Sequence, residues 1–230
     1  MPLFTTDLVE YAELVHRILR DEPPPERIDA ICFFGQTQEN DQKSLKNIAE
    51  RWKARGGEYD PAVLVGECER IERGNLVVRG SDAWIRDLED AGVEENWIYP
   101  YPMSTKVPPS TDAEALGMVP VIKENGWTRL VITVPPLHAV RAFVSLVSAC
   151  KKNGLDDVLI WSAPSETLAW DENVFHSGSM PSAPRVEQIP GEFAKVTAYC
   201  AKGDHLTAKE VLTYLQARRD LSQAQLLASS

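Results

Sequence analysis

Hydrophobic positions along this chain follow two periods. Leu8, Tyr11, Leu14, Val15, Ile18 and Leu19 recur at three- and four-residue spacing, as do Leu45, Ile48, Ala49 and Trp52. Residues so spaced share one helix face, so both stretches predict amphipathic helices. The first opens at Asp7-x-x-Glu10, a capping-box spacing, and runs to about Arg20 before Pro23-Pro24-Pro25. The second spans about Lys43 to Arg55 and stops at Gly56-Gly57. Between them, Ile28 to Phe34 is almost wholly apolar, as expected of a strand buried on both faces, and Gly35 closes it. The polar segment Gln36 to Gln42 reads as the connection to the second helix.

The same alternation continues. Ala62 to Val65, Trp97 to Tyr99, Arg129 to Thr133 and Asp157 to Ser162 predict further strands, and Asn75 to Val78 a short added strand or hairpin piece. Helices are predicted from a Ser81 cap to about Ala91, from Thr111 to about Asn125 and from Leu137 to Lys152. Pro120 predicts a kink or break in the second of these. Pro100 to Pro109 reads as a loop, and the Ser-, Pro- and Gly-rich Phe175 to Pro190 as a surface loop or lid. Two more helices, about Glu192 to Lys202 and Thr207 to Arg219, close the pattern, the latter with a Thr207-x-x-Glu210 box. The tail after Ser222 is expected to fray.

Strands alternating with helices imply right-handed βαβ units. The predicted fold class is therefore α/β: a Rossmann-like three-layer sandwich with a mostly parallel sheet and extra helices at both termini. The 230 residues suit a single α/β domain with a core of about 28–163 and helical extensions at 5–21 and 191–220.

Charge narrows the partners. Lys plus Arg number 24 against 34 Asp plus Glu, a net charge of -10. Such a surface argues against nucleic-acid backbone binding and against a polybasic membrane patch. Cys32, Cys68, Cys150 and Cys200 lie far apart without zinc-ligand spacing; Cys32 and Cys150 read as small core hydrophobes. No metal site is expected. His16, His176 and His205 read as surface or helix residues. No apolar run approaches the ~20 residues of a membrane span, and Met1 to Arg20 reads as an amphipathic helix rather than a signal peptide. The expectation is a cytoplasmic protein with a small-molecule ligand, and its oligomeric state stays open.

Candidate chemistry gathers at predicted strand ends. The Arg129 to Thr133 strand runs through Pro135-Pro136 into a helix carrying His138 and Arg141, three apart and hence on one face. In open α/β sheets ligands bind outside the carboxyl ends of strands. Arg141 can fork onto a phosphate or carboxylate, and His138 can donate a hydrogen bond or move a proton. Gly35, Gln36 and Thr37 stand where a phosphate loop would follow the first strand, though without a G-x-G-x-x-G pattern. Gly66 and Glu67 follow the second strand, with Glu67 a candidate base. Thr111 and Glu114 have capping-box spacing and also face the crevice. Ser81 and Asp82 read first as a helix cap.

Asp29-Ala30-Ile31-x-Phe33-x-Gly35, Ser81-Asp82-Ala83, Ser110-Thr111-x-x-Glu114-Ala115 and, above all, Leu130-Val131-Ile132-Thr133 with His138-x-x-Arg141-Ala142 resemble the YdcF/SanA/ElyC-like family. The similarity spans roughly residues 28 to 152, with an echo at Glu192-x-x-Lys195-x-x-x-Tyr199. The resemblance implies a Rossmann-like fold with a pocket at the carboxyl strand ends and an association with envelope functions or nucleotide-type ligands, S-adenosylmethionine among them. It also implies that Ser81 and Thr133 lie near the pocket. The glycine-rich turns usual in that family read Gly35-Gln36-Thr37-Gln38 and Val65-Gly66-Glu67 here, leaving less room for backbone to approach a phosphate.

The expected function is binding of a small anionic or nucleotide-like ligand by Gly35, Gln36, Thr37, Gly66, Glu67, Ser81, Thr111, Glu114, Thr133, His138 and Arg141. Two alternatives stand beside it. One is a hydrolase or transferase acting on a phosphorylated or glycosidic envelope precursor, with His138 and Glu67 as acid and base. The other is a non-catalytic interaction module using the C-terminal helices.

Overall fold

Five parallel strands form the central sheet of the computed structural model, which describes residues 6–54, 60–67, 70–72, 75–105, 110–166, 169–175 and 182–229. The strands are β1 (Ala30–Cys32), β2 (Ala62–Glu67), β5 (Ile98–Pro102), β6 (Arg129–Ile132) and β7 (Leu159–Ser162). Two short hairpins, β3 (Arg70–Glu72) with β4 (Asn75–Val78) and β8 (Asn173–Val174) with β9 (Ala183–Pro184), lie outside it. The sheet order β5-β2-β1-β6-β7 reverses direction at β1, so the switch point falls between β1 and β6. The helices are α1 (Thr6–Leu19), α2 (Gln38–Ala54), α3 (Ser81–Asp90), α4 (Thr111–Asn125), α5 (Pro136–Lys152), α6 (Ile189–Lys202) and α7 (Ala208–Ser229). The architecture is Rossmann-like α/β. Gly56-Gly57, Cys68 and His176 lie outside the described residues.

Side-chain alternation along each strand splits the core in two. Ala30, Cys32, Leu64, Leu130, Ile132 and Ile160 face a layer of α1, α4, α5 and α7. Ile31, Phe33, Val63, Val65, Val131 and Trp161 face α2 and α3. Burial on both sides is why these strands read as unbroken apolar runs. Cys32 and Cys150 are buried in the first of these cores, and burial raises both thiols. Asp29 fixes the register at the start: its Oδ2 accepts from the backbone N–H of Thr128 and of Arg129, each at 2.8 Å.

The terminal helices belong to the same core. α1 packs against both α5 and α7. Arg218 of α7 is buried, pairs with Asp21 just after α1, and donates to the Ile160 carbonyl. Asp21 in turn accepts from the Ser162 backbone N–H at 2.8 Å.

Several expectations need correction. α2 begins at Gln38, not Lys43, because Thr37 O accepts from the backbone N–H of Asn40 and Asp41 and nucleates the first turn. β2 extends through Gly66 and Glu67, and β5 through Pro102. Tyr99-Pro100-Tyr101-Pro102 tolerates its prolines because β5 is an edge strand. α4 runs through Pro120 without a break; that residue is exposed, so a carbonyl freed by the missing N–H can turn to water. α7 continues to Ser229 where fraying was expected, and its Thr207–Glu210 box forms as read. The latter part of the supposed surface loop holds β9, a short 3-10 turn at Arg185–Gln188 and the start of α6, with Arg185 and Gln188 buried.

Gly117 marks a close approach of α4 to the sheet edge. A Cβ there would stand 2.5 Å from the Pro102 carbonyl oxygen and 3.0 Å from the Tyr101 ring. Gly117→Ala gains about 1 kcal/mol of helix propensity but forces backbone apart. The expected outcome is a net loss of about 2 kcal/mol, read as a lower urea midpoint with an unchanged m-value.

Candidate functional site

The site is built on the β6–α5 connection. Pro136 occupies the first turn of α5, where its missing N–H costs nothing, and the Pro135 carbonyl accepts from the His138 N–H at 2.9 Å. That geometry sets His138 and Arg141 one turn apart on a single face, and both are buried. They converge on one carboxylate. Glu192 of α6 receives Arg141 Nε at 2.7 Å and His138 Nδ1 at 3.1 Å on Oε2, while Arg141 Nη2 reaches Oε1 at 3.2 Å. Lys195 adds a contact to Oε1 at 3.1 Å. Arg141 Nη1 donates to the Thr111 hydroxyl. The guanidinium fork thus holds a carboxylate two-pronged, with a hydroxyl completing its shell.

Glu114, two residues deeper into α4 than Asp112, turns to β1 instead. Its Oε1 accepts from the Gly35 backbone N–H at 2.6 Å. Complete burial pushes the Glu114 carboxyl up to about 8, against the smaller opposing pull of the Gly35 N–H and the Arg141 charge. It is therefore neutral at pH 7, and its protonated oxygen can donate.

Thr111 and Glu114 do not form the capping box that their spacing suggests. Ser110 is the cap, and its hydroxyl accepts from the Ala113 N–H at 3.3 Å. That frees Thr111 and Glu114 to join Arg141 and Gly35.

Burial, reinforced by the Arg141 charge, lowers His138 to about 4 despite Glu192. The imidazole is neutral at pH 7. Its Nδ1 faces a carboxylate, which can only accept, so Nδ1 carries the hydrogen and Nε2 the lone pair. Nε2 is buried and has no hydrogen-bond partner among the described residues, and neither has Thr133 Oγ1 on the same connection. The Phe34 ring stands edge-on to the imidazole, centroids 6.4 Å apart.

The remaining candidates lie elsewhere. Gln36 and Thr37 are buried in the β1–α2 turn, where Gln36 Nε2 donates to the Gly35 carbonyl and Thr37 Oγ1 accepts from Asn40. Gly66 lies inside β2 beside Tyr101; a Cβ there would meet the Tyr101 hydroxyl at 3.1 Å, so the glycine makes room for that ring. Glu67 ends β2, exposed, and alternation carries it toward the α2–α3 side, away from His138. Ser81 is the first residue of α3 rather than its cap; Gly80, at φ 82°, takes that position. Asp82 follows it in the first turn of α3.

Two residues were not legible as site members. Glu192 supplies the carboxylate at the centre; its signals were the Glu192-x-x-Lys195 spacing of a salt-bridged helix turn and its place in the echo of the family resemblance. His205, read as a surface or helix residue, is buried and meets Asp112 Oδ1 at 2.6 Å and Ser145 Oγ at 3.1 Å. No signal in the sequence links residues so far apart.

Fold and site together define a Rossmann-like α/β protein with a buried Arg–His–carboxylate cluster at its switch point. No family model, curated protein or solved structure matches this chain. Among the described residues no helix is long and apolar enough to cross a membrane, and no group of three or more His, Cys, Asp or Glu is arranged to hold a metal.

Proposed function

We propose that this chain binds a small anionic or nucleotide-like molecule at the carboxyl ends of β1 and β6, with Arg141 as its anion anchor. The observation that carries this reading is a pair of buried polar atoms at the β6–α5 connection, His138 Nε2 and Thr133 Oγ1, that have no partner among the described residues. Buried polar groups are normally paired, and those that are not call for a functional explanation. A ligand hydroxyl or amine would satisfy the His138 lone pair, and Thr133 can donate or accept. Arg141 already recognises a carboxylate, that of Glu192. An anionic ligand group would replace it through the same fork, with α6 shifting to admit it. The resemblance to the YdcF/SanA/ElyC-like family supports a nucleotide-type ligand, S-adenosylmethionine included. The acid–base alternative draws less support, since Glu67 is exposed and turned away from His138.

A thermal-shift series with S-adenosylmethionine, AMP and a sugar phosphate tests the reading. At a hundredfold excess over Kd, a binder of the native state adds about 2.7 kcal/mol. For a chain of this size that is a rise in Tm of roughly 5–10 °C. Glu192→Gln removes the competing charge, so the same probe should shift that variant's Tm further than wild type. If no probe shifts either protein, or if His138→Ala leaves the shift unchanged, the reading fails.

A further inference from the structure

The strand-end site is closed. Thr133, His138 and Arg141 are all buried, so a ligand reaches them only after something moves. The Arg141 fork is occupied by Glu192 of α6, and the parts of that helix are held unequally.

Its carboxyl end is fastened to α5. Lys152 Nζ donates to the Gly203 and Asp204 carbonyls, the Leu206 N–H donates to Ser148 Oγ at 2.9 Å, and His205 Nε2 meets Ser145 Oγ at 3.1 Å. The middle is fastened too. Val196 is buried in the core, and the Phe193 ring stands edge-on to Tyr11 of α1, centroids 5.5 Å apart. Just ahead of the helix, Arg185 Nε donates to Asn40 Oδ1 at 2.9 Å and Gln188 Nε2 to the Val174 carbonyl at 3.0 Å.

Between these fixed points lies the first turn, residues 189–192, and it is built weakly. Gln188 stands at the cap without a side-chain hydrogen bond to the helix, so the turn lacks what Ser110 gives α4. Pro190 and Gly191 are exposed. Neither space nor backbone geometry requires glycine at 191. A Cβ there would meet nothing within 4 Å, and the residue lies within the helix without a positive φ. Its effect is to loosen the turn, because glycine loses more freedom than alanine when a helix orders. Glu192 is the only buried residue of the four, held by Arg141 and His138.

We propose that residues 189–192 form a one-turn gate. The turn unwinds while the rest of the protein stays folded, draws Glu192 out of the Arg141 fork and admits the anionic group of a ligand. What enters rests on the strand-end reading; the opening itself does not. Glu192 is then the internal occupant of the anion site, and a ligand binds only the open fraction of molecules.

Hydrogen exchange of the full chain without ligand tests the opening. In an α-helix the N–H groups of Phe193, Ala194 and Lys195 bond to the carbonyls of Ile189, Pro190 and Gly191, so they report the turn. Gly191→Ala should slow their exchange about two- to fivefold, the helix preference of alanine over glycine. Glu192→Gln should speed it about fivefold or more, since a neutral amide holds the guanidinium less strongly. In about 1 M urea their rates should barely change, because so small an opening exposes little surface, whereas the N–H groups of Val144, Ser145 and Leu146 in α5 should quicken steeply. A urea response matching that of α5, or equal rates in wild type and Gly191→Ala, overturns the gate. If Glu192→Gln fails to fold, Gly191→Ala decides alone. Isothermal titration with S-adenosylmethionine, AMP and the sugar phosphate then tests admission. A probe that binds should bind Gly191→Ala about two- to fivefold more weakly than wild type, the same factor as in exchange. Equal affinity in the two proteins overturns admission through the gate. If no probe binds any of the proteins, the strand-end reading has failed, and the exchange rates still decide the opening.

Discussion

Arg141→Leu is expected to cost about 3–5 kcal/mol of stability, the usual penalty for removing one partner of a buried ion pair. The reason is what it leaves behind. Glu192 stays buried without the guanidinium, beside Lys195 and a neutral His138, and the Thr111 hydroxyl loses the guanidinium as well. In a chain of this length the loss should appear as a fall in Tm of roughly 10 °C or more. Arg141→Leu combined with Glu192→Leu should be more stable than Arg141→Leu alone, since the second change removes a buried carboxylate that has lost its guanidinium partner. The defect should also depend on pH. The Arg141 charge is one of the causes that lower His138. Without it, Glu192 favours the protonated imidazole. Burial still depresses the imidazole, but less than with Arg141 present, so the variant loses less stability than wild type as pH falls below about 6.5. Urea unfolding at pH 5.5 and pH 8 should therefore find Arg141→Leu less impaired at the lower pH. A double variant no more stable than the single one, at both pH values, would show that Arg141 does not neutralise Glu192.

The second large effect is the pH dependence of stability, and Glu114→Gln isolates it. Burial raises the Glu114 carboxyl from 4.5 to about 8. Between those values the unfolded carboxyl is ionised while the folded one keeps its proton, so unfolding releases a proton. Stability must then fall as pH rises through the window and level off above it. Gln at position 114 has the same shape, still accepts from the Gly35 N–H, and does not titrate. Its advantage over wild type should be near zero below pH 4.5 and grow to the order of 4 kcal/mol at pH 8. His138 imposes the opposite slope. Its folded value of about 4 lies below the unfolded 6.5, so stability is lost as pH falls through that interval. The two slopes oppose each other between pH 4.5 and 6.5 in wild type. In Glu114→Gln only the histidine slope remains of these two, opposed by Asp41 up to about pH 6, and the fall in stability above pH 6.5 should be gone. Asp41, raised by burial to about 6, contributes equally to both proteins and cancels in the difference. Urea midpoints measured across pH 4 to 9 on both proteins check the prediction. Parallel curves would place an ionised carboxylate at Glu114.

How far the site was legible depends on the range of the signal. His138 and Arg141 could be placed together because a helix imposes their relation locally. The β6–α5 junction could be placed at a strand end because an apolar run met two prolines. Thr111 and Glu114 were misread as a cap because Ser110 offers the same chemistry one residue earlier, and local spacing does not separate the two. Glu67 was a candidate base on the assumption that β2 ended before it. Pairing with β5 carries the strand two residues further and turns that side chain to the α2–α3 side. Arg185 illustrates the remaining class. It is fully buried, bonded to Asn40 of α2 and to the Ala169 carbonyl, yet it lies in a stretch whose composition reads as an exposed loop.

The sequence by itself determined the alternation of buried strands and amphipathic helices, and hence a parallel Rossmann-like sheet. Periodicity and breaker residues act over a few positions and need no partner to be recognised. It also determined that an imidazole and a guanidinium leave the end of β6 on one helix face. Only the tertiary structure decided what they meet. Glu192 and Thr111 arrive from segments 51 and 30 residues from Arg141, and nothing local encodes which carboxylate a buried cation will find. The same is true of Asp112, Ser145 and His205. A buried charge must be paired, but chain topology chooses the partner.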